Sequence, residues 1–388
     1  MKDRFGFVET TGTQFWRRPH LGRRMFFRHV ASAVGGYFLM PSRPLEVVAR
    51  AAVAPKNTAK NCIFVMMEGG PSHVDTFDLK EGSWTPQNFN ATSYGDLRWP
   101  QGLMPALAEQ LESITLVRSM KAWAAVHGLA QAWVQIGRNP AASTSKIAPH
   151  IGSVVALELG KQESGKPLPP FVALNTRFGV GAGYLPAQNN PFYVSPNGNA
   201  ITNTRHGSGV DRFERRYGLL MSMDDDLRLS GELGAAPAEM FAYNAAARRL
   251  IYNSAVEEIF IFDQNERNRY GATAFGNGCI AARNLLRARA GVRFIQISQG
   301  NWDHHANIYT SAANTSNHTL LAQQFDKALG TLIADLKADG LLDETLVVAF
   351  GEFGRVPGTL NPGRGRDHYL NQAALVAGGG VLGGRAIG

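Results

Sequence analysis

Residues 61–78 read NCIFVMMEGGPSHVDTFD, and the fold turns on how this stretch is read. Cys62 to Met67 are six consecutive apolar residues, the length of a strand covered on both faces, and Gly69, Gly70 and Pro71 then stop any continuation as helix or strand. The stretch predicts a buried strand of an α/β sheet that opens into a polar loop. Ser72, His73, Asp75 and Asp78 follow at once, so a hydroxyl, an imidazole and two carboxylates stand beyond the carboxyl end of that strand, where open α/β sheets bind ligands. The same residue types also fill ordinary surface turns, so the functional reading depends on what the rest of the chain adds.

Upstream of this strand the chain changes character. Residues 1–54 hold nine Lys/Arg and three Asp/Glu of a chain whose formal charge is +8, so the remaining residues are nearly balanced. That distribution gives no basic groove for a nucleic acid backbone and points to no nucleic acid partner. Arg23 and Arg24 precede two phenylalanines and an apolar patch from Val30 to Met40 that Pro41 ends. The order resembles a twin-arginine export signal, with Gly22 where that pattern prefers Ser or Thr and small residues near Ala49 and Ala51 available for cleavage. The expectation is delivery by the twin-arginine machinery to the periplasm or beyond, with residues 1–54 as signal and linker. The patch is too short to span a bilayer, and no other long apolar run exists. An amphipathic surface helix is the competing reading of the segment.

The whole chain, 388 residues at 44% hydrophobic and 18% charged, suits one large or two globular domains. Its two cysteines, Cys62 and Cys279, exclude a disulfide framework, and both sit in apolar surroundings that favour buried free thiols. Residues 100–138 carry a helix, strand, helix pattern in which His127 opens the second helix; a lone histidine there ranks below the clusters that follow. Two glycine patterns mimic phosphate loops and fail on context. Gly160 to Lys166 has Pro167 where a P-loop needs Ser or Thr, and Gly179, Gly181 and Gly183 run into Tyr184, Leu185 and Pro186 in place of a helix. No G-x-S-x-G elbow and no H-E-x-x-H helix is present.

Residues 202–233 are polar and read as a surface insertion whose Asp224-Asp225-Asp226 run is solvated. A helical pattern from Pro237 to Arg269 and a second from Phe275 to Arg289 lead to a strand at Val292 to Ile297, a crossover suited to a parallel sheet. At its end stand Trp302, Asp303, His304 and His305. Asp303 and His305 are two apart and face one side in extended backbone, where a carboxylate and an imidazole suit zinc, manganese or iron better than calcium or magnesium. A Trp-anchored turn with merely polar histidines is the alternative. After the stripe of a packing helix, Asn317 to Ala338, a third strand, Thr345 to Phe350, ends in Glu352 and Arg355. Asp367 and His368 then precede a fourth strand, Ala373 to Ala377. Adjacent Asp367 and His368 cannot both face one ion in extended backbone without a turn or a second ion, and an ion-pair network with nearby arginines is the alternative.

The ordered motifs GGPSHVDTFD, NWDHH, GEFGR, GRDHY and AGGGVLGG, behind a twin-arginine-like segment, resemble the domain of unknown function 1501 family, grouped with sulfatases in the alkaline phosphatase superfamily. The resemblance runs from about residue 20 onward. It implies a three-layer α/β sandwich with a central, mostly parallel sheet over residues 55–388, a metal site at strand ends, and no known substrate. The chain departs from the pattern at His304, where the family has Thr, and at Val356, again for Thr. It also lacks a sulfatase-type Cys-x-Pro-x-Arg sequence, and Glu352-Phe353 occupies the late strand end where superfamily phosphatases carry an Asp-His pair. Either the site is rebuilt around Asp367 and His368 or competence is lost. The chain stops at Gly388 inside a glycine-rich motif that the family continues, so a piece of a longer protein is expected.

These readings converge on an exported metal-dependent hydrolase of small-molecule or glycan phosphate or sulfate esters. Ser72, or alternatively water, is the expected nucleophile, and Arg355 or Arg118 the clamp for the transferred group. His73, Asp75, Asp303, His305, Glu352, Asp367 and His368 are the expected divalent-metal ligands, with Asp303, His305 and His368 meeting at one ion. The alternative is an inactive secreted scaffold that binds a glycan or an envelope partner.

Overall fold

The computed structural model describes residues 58–140, 148–160, 165–176, 181–202, 204–230, 234, 236–310 and 317–388. The export signal, residues 161–164 and Gly179 lie outside the described residues. In chain order the strands are β1 (Asn61–Met67), β2 (Ala91–Tyr94), β3 (Leu97–Pro100), β4 (Ile114–Lys121), β5 (Phe171–Leu174), β6 (Phe192–Val194), β7 (Phe294–Gln299), β8 (Thr345–Phe350), β9 (Gly354–Arg355), β10 (His368–Tyr369), β11 (Asn371–Ala377) and β12 (Arg385–Ile387). The helices are α1 (Pro105–Ala108), α2 (His127–Ile136), α3 (Ile151–Leu159), α4 (Val210–Ser230), α5 (Ala236–Leu250), α6 (Ser254–Phe260), α7 (Gln264–Arg269), α8 (Ala274–Ala288) and α9 (His318–Ala338).

Eight strands form one sheet in the order β12-β4-β11-β8-β1-β7-β5-β6. Strand β1 sits inside it, parallel to both β7 and β8, and β11 alone runs against its neighbours β4 and β8. Alternate β1 side chains serve two cores. Ile63, Val65 and Met67 pack into a large cluster with α8 and α9, while Phe64 and Met66 join Ala156 of α3, Phe171 and Phe294 on the other face. This is the expected three-layer α/β sandwich with a mostly parallel central sheet, and each fully buried β1 side chain contributes about 1.5–3 kcal/mol of transfer free energy. Both cysteines are free, and burial pushes the Cys62 thiol up to about 12.

Topology sets what reaches the carboxyl edge. Residues after β1, β4, β7 and β8 emerge there, and the reversal of β11 brings the residues that precede it to the same edge, with Asn371 paired to Lys121. The single helix expected from Pro237 to Arg269 is instead α5, α6 and α7. Tyr252 adopts a left-handed φ of 56°, and the side chains of Asn253 and Asp263 accept from Val256 N and Glu266 N to start new helices. Strands β5 and β6 were not legible, β5 because Pro169 and Pro170 run directly into four apolar residues. Among the described residues, no helix is long and apolar enough to cross a membrane.

Candidate metal centre

The turn after β1 makes the floor of the site. Gly69 has φ +114°, and an added Cβ would lie 2.6 Å from Asp303 N and 2.7 Å from Trp302 N, so only glycine lets the loop after β7 lie against the end of β1. Gly70 has φ +67°, and its missing Cβ leaves room for the Phe353 ring, which would otherwise be 2.6 Å away. Both glycine carbonyls turn toward Arg355, which donates from Nη2 to Gly69 O at 2.5 Å and from Nε to Gly70 O at 2.7 Å. The same guanidinium donates from Nη1 to Arg366 O at 3.0 Å and from Nη2 to Asp303 Oδ1 at 2.6 Å, and its last N–H faces His305 Nε2 at 3.4 Å. All five of its N–H groups are occupied. Arg355, buried to 1% exposure, therefore anchors Asp303 and has no donor left to clamp a substrate oxygen.

Three imidazoles converge on the carboxylate that Arg355 holds. His127, Asp303 and His368 offer one ligand atom each, all within 4.8 Å of one another. His127 Nε2 is 3.2 Å from Asp303 Oδ2, His305 Nε2 is 3.1 Å from Asp303 Oδ1, and His368 Nε2 is 3.6 Å from the same oxygen and 2.9 Å from His305 Nε2. The opposite nitrogen of every ring rests on a group that can only accept. Nδ1 of His127 meets Glu352 Oε1 at 2.7 Å, that of His305 meets Asp367 Oδ1 at 2.9 Å, and that of His368 meets the Ala125 carbonyl at 2.8 Å. Each Nδ1 therefore donates to its acceptor, which leaves Nε2 as the nitrogen that faces inward. His127 Nε2 is buried without a hydrogen-bond partner. Inward-facing Nε2 atoms beside a carboxylate make a set that could hold a cation, and one carboxylate with two or three imidazoles is a donor set that fits zinc, manganese or iron.

Charge points the same way. Asp303, Glu352 and Asp367 are three carboxylates in direct contact with the imidazoles, and Arg355 is the one guanidinium, which leaves two negative charges for a divalent ion to neutralise. The hydrogen bond that His127 donates to Glu352 outweighs burial and raises the His127 pKa above its ordinary value. Burial lowers that of His368. Burial pushes the Asp303 carboxyl up, but the Arg355 hydrogen bond and charge, with the nearby imidazoles, together hold it below the usual range.

The expected ligands thus divide. Asp303, His305 and His368 lie together. Glu352, fully buried, accepts from Gly69 N, Gln131 Nε2 and His127 and serves as the orienter of His127. Asp367 touches the outer nitrogen of His305, which resolves how two adjacent residues serve one centre: His368 faces Asp303, and Asp367 stands behind His305. Phe353 packs under the His127 and His368 rings at 4.8 and 4.3 Å. The β9–β10 ribbon pairs Arg355 with His368 and fixes their spacing.

The loop of residues 72–78 adds no side chain to the His127, Asp303 and His368 cluster. Ser72 Oγ donates to Asp75 Oδ2 at 2.5 Å, and Asp75 also receives Arg366 Nε at 2.9 Å and Tyr309 OH at 2.7 Å, all in a buried ion-pair network. His73 Nδ1 accepts from Arg355 N at 3.2 Å, and burial lowers its pKa to about 4. Arg118 Nε lies 3.8 Å from Asp78 Oδ1. His304 turns Nδ1 to the Trp302 carbonyl, away from Asp303. Nothing in the local sequence of His127 tells that β4 runs beside β11 and delivers the following loop to His368. A cavity of about 620 Å³ opens at the other edge of the sheet among Lys60, Arg289, Arg293 and Glu344. Arg289 there is the C-cap of α8, where a cation offsets the helix dipole, so cavity size does not mark the chemistry.

Solved structures similar to the chain include the PsFucS1 sulfatase from Pseudoalteromonas sp., 13% identical over 84% of this chain and 64% of that one, with a TM-score of 0.41. A protein of the alkaline phosphatase superfamily from Vibrio parahaemolyticus is 15% identical over 85% of this chain and 62% of that one, with a TM-score of 0.37. A magnesium-bound variant of TAB5 alkaline phosphatase is 15% identical over 83% of this chain and 92% of that one, with a TM-score of 0.38. No curated protein matches the chain in sequence. The family described as protein of unknown function DUF1501 matches residues 59–388, and the chain belongs to that family.

Proposed function

We propose that the protein is an exported, metal-dependent hydrolase of phosphate or sulfate esters that holds zinc, manganese or iron at His127, Asp303 and His368. The observation that carries this reading is the convergence of imidazole Nε2 atoms on Asp303 while every Nδ1 is committed to an acceptor. A divalent ion there would supply Lewis acidity toward an ester oxygen.

The chain's own groups do the rest. Arg355 fixes the Asp303 carboxylate, and Glu352 and the Ala125 carbonyl fix the His127 and His368 rings. His305 is the most open of the three imidazoles, at 45% exposure against 29% and 22%. With Asp367 on its Nδ1, it is placed to take or give a proton at Nε2 beside an ester oxygen. Ser72 is buried and already donates to Asp75, which favours water over Ser72 as the nucleophile.

The domain reading is part of the proposal: residues 1–54 as export signal and linker, residues 55–388 as the sandwich, and a surface insertion near 202–233. Replacing Arg23 and Arg24 by Lys should hold the protein in the cytoplasm, and unchanged export would remove that part of the reading. The test of the chemistry is elemental analysis of protein purified without chelator, then a panel of aryl phosphate and sulfate esters. One bound ion and chelator-sensitive turnover are expected. An ion-free protein inactive on every ester would return the chain to a binding scaffold.

A further inference from the structure

Trp123 is 74% exposed, and among the described residues it is the exposed tryptophan. Its indole lies on that of Trp133 with centroids 5.2 Å apart and planes 4° from parallel. An offset stack of this kind fixes the plane of Trp123 and leaves its outer face to solvent. The loop that carries it is tied down on both sides. Ala122 N donates to Leu370 O at 2.7 Å, and the Ala125 carbonyl accepts from His368 Nδ1 at 2.8 Å. An exposed tryptophan held this rigidly is a preformed surface for a ligand, since ordering it costs little more on binding.

The plate opens onto a cleft of about 220 Å³ bordered by Trp133, Lys121, Gln372, Phe350 and Glu352. Glu352 is the carboxylate that orients His127, so one wall of this cleft backs directly onto the candidate metal centre. A single flat aromatic face with an ammonium and an amide at its border suits a molecule that is itself two-sided. A pyranose ring has that character: its axial C–H groups carry slight positive charge that meets the negative face of the indole, while its hydroxyls reach outward to polar groups at the rim.

We propose that Trp123, stacked on Trp133, is a carbohydrate platform that seats one pyranose ring of a glycan ester while the ester group reaches the Asp303 cluster. This rests on the ester-hydrolase reading for the reacting end and on the Trp123 geometry alone for the sugar. It selects glycan esters from the wider ester class. A broad apolar partner is disfavoured, because the small flanking residues Ala122 and Ala124 and the charged Lys121 interrupt the patch.

The experiment is a titration of the full chain, with and without chelator, with neutral and sulfated oligosaccharides of several pyranose units, followed by intrinsic tryptophan fluorescence and calorimetry. At least one series should shift the indole emission in both conditions. Trp123→Ala should weaken that binding tenfold or more, Trp123→Phe should restore part of it, and Leu229→Ala, an exposed apolar control, should leave it unchanged. The proposal is overturned if no oligosaccharide binds, if Trp123→Ala binds as the parent does, or if Trp123→Ala instead abolishes a concentration-dependent self-association. Turnover of small aryl esters separates the two readings. Cleavage without saccharide binding removes the platform alone, and Trp123-dependent saccharide binding without a bound ion removes the hydrolase alone.

Discussion

Replacing Asp75 by Asn separates a metal ligand from a structural ion pair. Asp75 is 1% exposed and accepts from Ser72 Oγ at 2.5 Å, Tyr309 OH at 2.7 Å, and Arg366 Nε and Nη2 at 2.9 and 3.3 Å. Arg366 is equally buried, and its remaining nitrogen donates to the carbonyls of Val356 and Gly358 at 2.9 and 2.7 Å. The amide keeps the shape and removes the charge, so the guanidinium stays in the interior without a counter-ion. Breaking one side of such a buried pair costs about 3–5 kcal/mol. At about 2 °C per kcal/mol for a domain of this size, Tm should fall by roughly 6–10 °C. The assay is thermal unfolding followed by circular dichroism, with and without chelator, beside Asp303→Asn and elemental analysis of each protein. Asp75→Asn should lose stability equally in both buffers and keep its ion, whereas Asp303→Asn should lose the ion. If Asp75→Asn loses the ion and its deficit vanishes after chelation, the division of the carboxylates drawn here is wrong.

Acid sensitivity follows from three buried histidines. Burial lowers the pKa of His150 to about 3 and those of His73 and His318 to about 4, against 6.5 when unfolded, so their contribution is complete above pH 6.5 and is lost as pH falls toward those values. At pH 5 each costs about 2 kcal/mol, at 1.36 kcal/mol per pH unit below 6.5. Asp326 opposes them, because burial raises its carboxyl to about 6 and its protonation below that pH returns roughly 1.4 kcal/mol by pH 5. Urea denaturation of chelated protein should show a net loss of about 5 kcal/mol from pH 7 to pH 5, and a flat profile would contradict the burial of these rings. Glu352→Gln places an amide nitrogen where Glu352 now accepts from Gly69 N and His127, and calorimetric titration should find divalent-ion affinity about 10–100-fold weaker. Unchanged affinity would detach Glu352 from the centre.

The sequence was most legible where a periodic signal and a local stop coincide. Thr345 to Phe350 is a strand as read, and the packing helix begins at His318 because the side chain of Asn317 caps it, accepting from Leu320 N. The carboxyl edge was legible too, since strand ends with Asp303, Glu352 and His368 stand out against their neighbours. What could not be read was partnership. Asp75 and Asp303 are both carboxylates beyond β-strands, yet one faces Arg366 and the other faces three imidazoles, and that difference is fixed by contacts between residues far apart in the chain, such as Asp75 with Arg366 and Asp303 with His127. His127 carries no motif. Its role comes from the antiparallel pairing of β4 with β11, a tertiary fact that its own sequence window does not contain. The Pro237 to Arg269 helix failed for a local reason that was present in the sequence, namely the capping residues Asn253 and Asp263 within an otherwise helical pattern.

The most direct test of the metal centre is diffraction from crystals grown with zinc, manganese or iron, with data collected on both sides of the metal's absorption edge. The account predicts one anomalous peak bonded to His127 Nε2, His368 Nε2 and the Asp303 carboxylate at about 2.0–2.2 Å for zinc, with Nδ1 of His127 still on Glu352. Crystals with no peak there, or with the ion held by Asp75 and His73 instead, would contradict it.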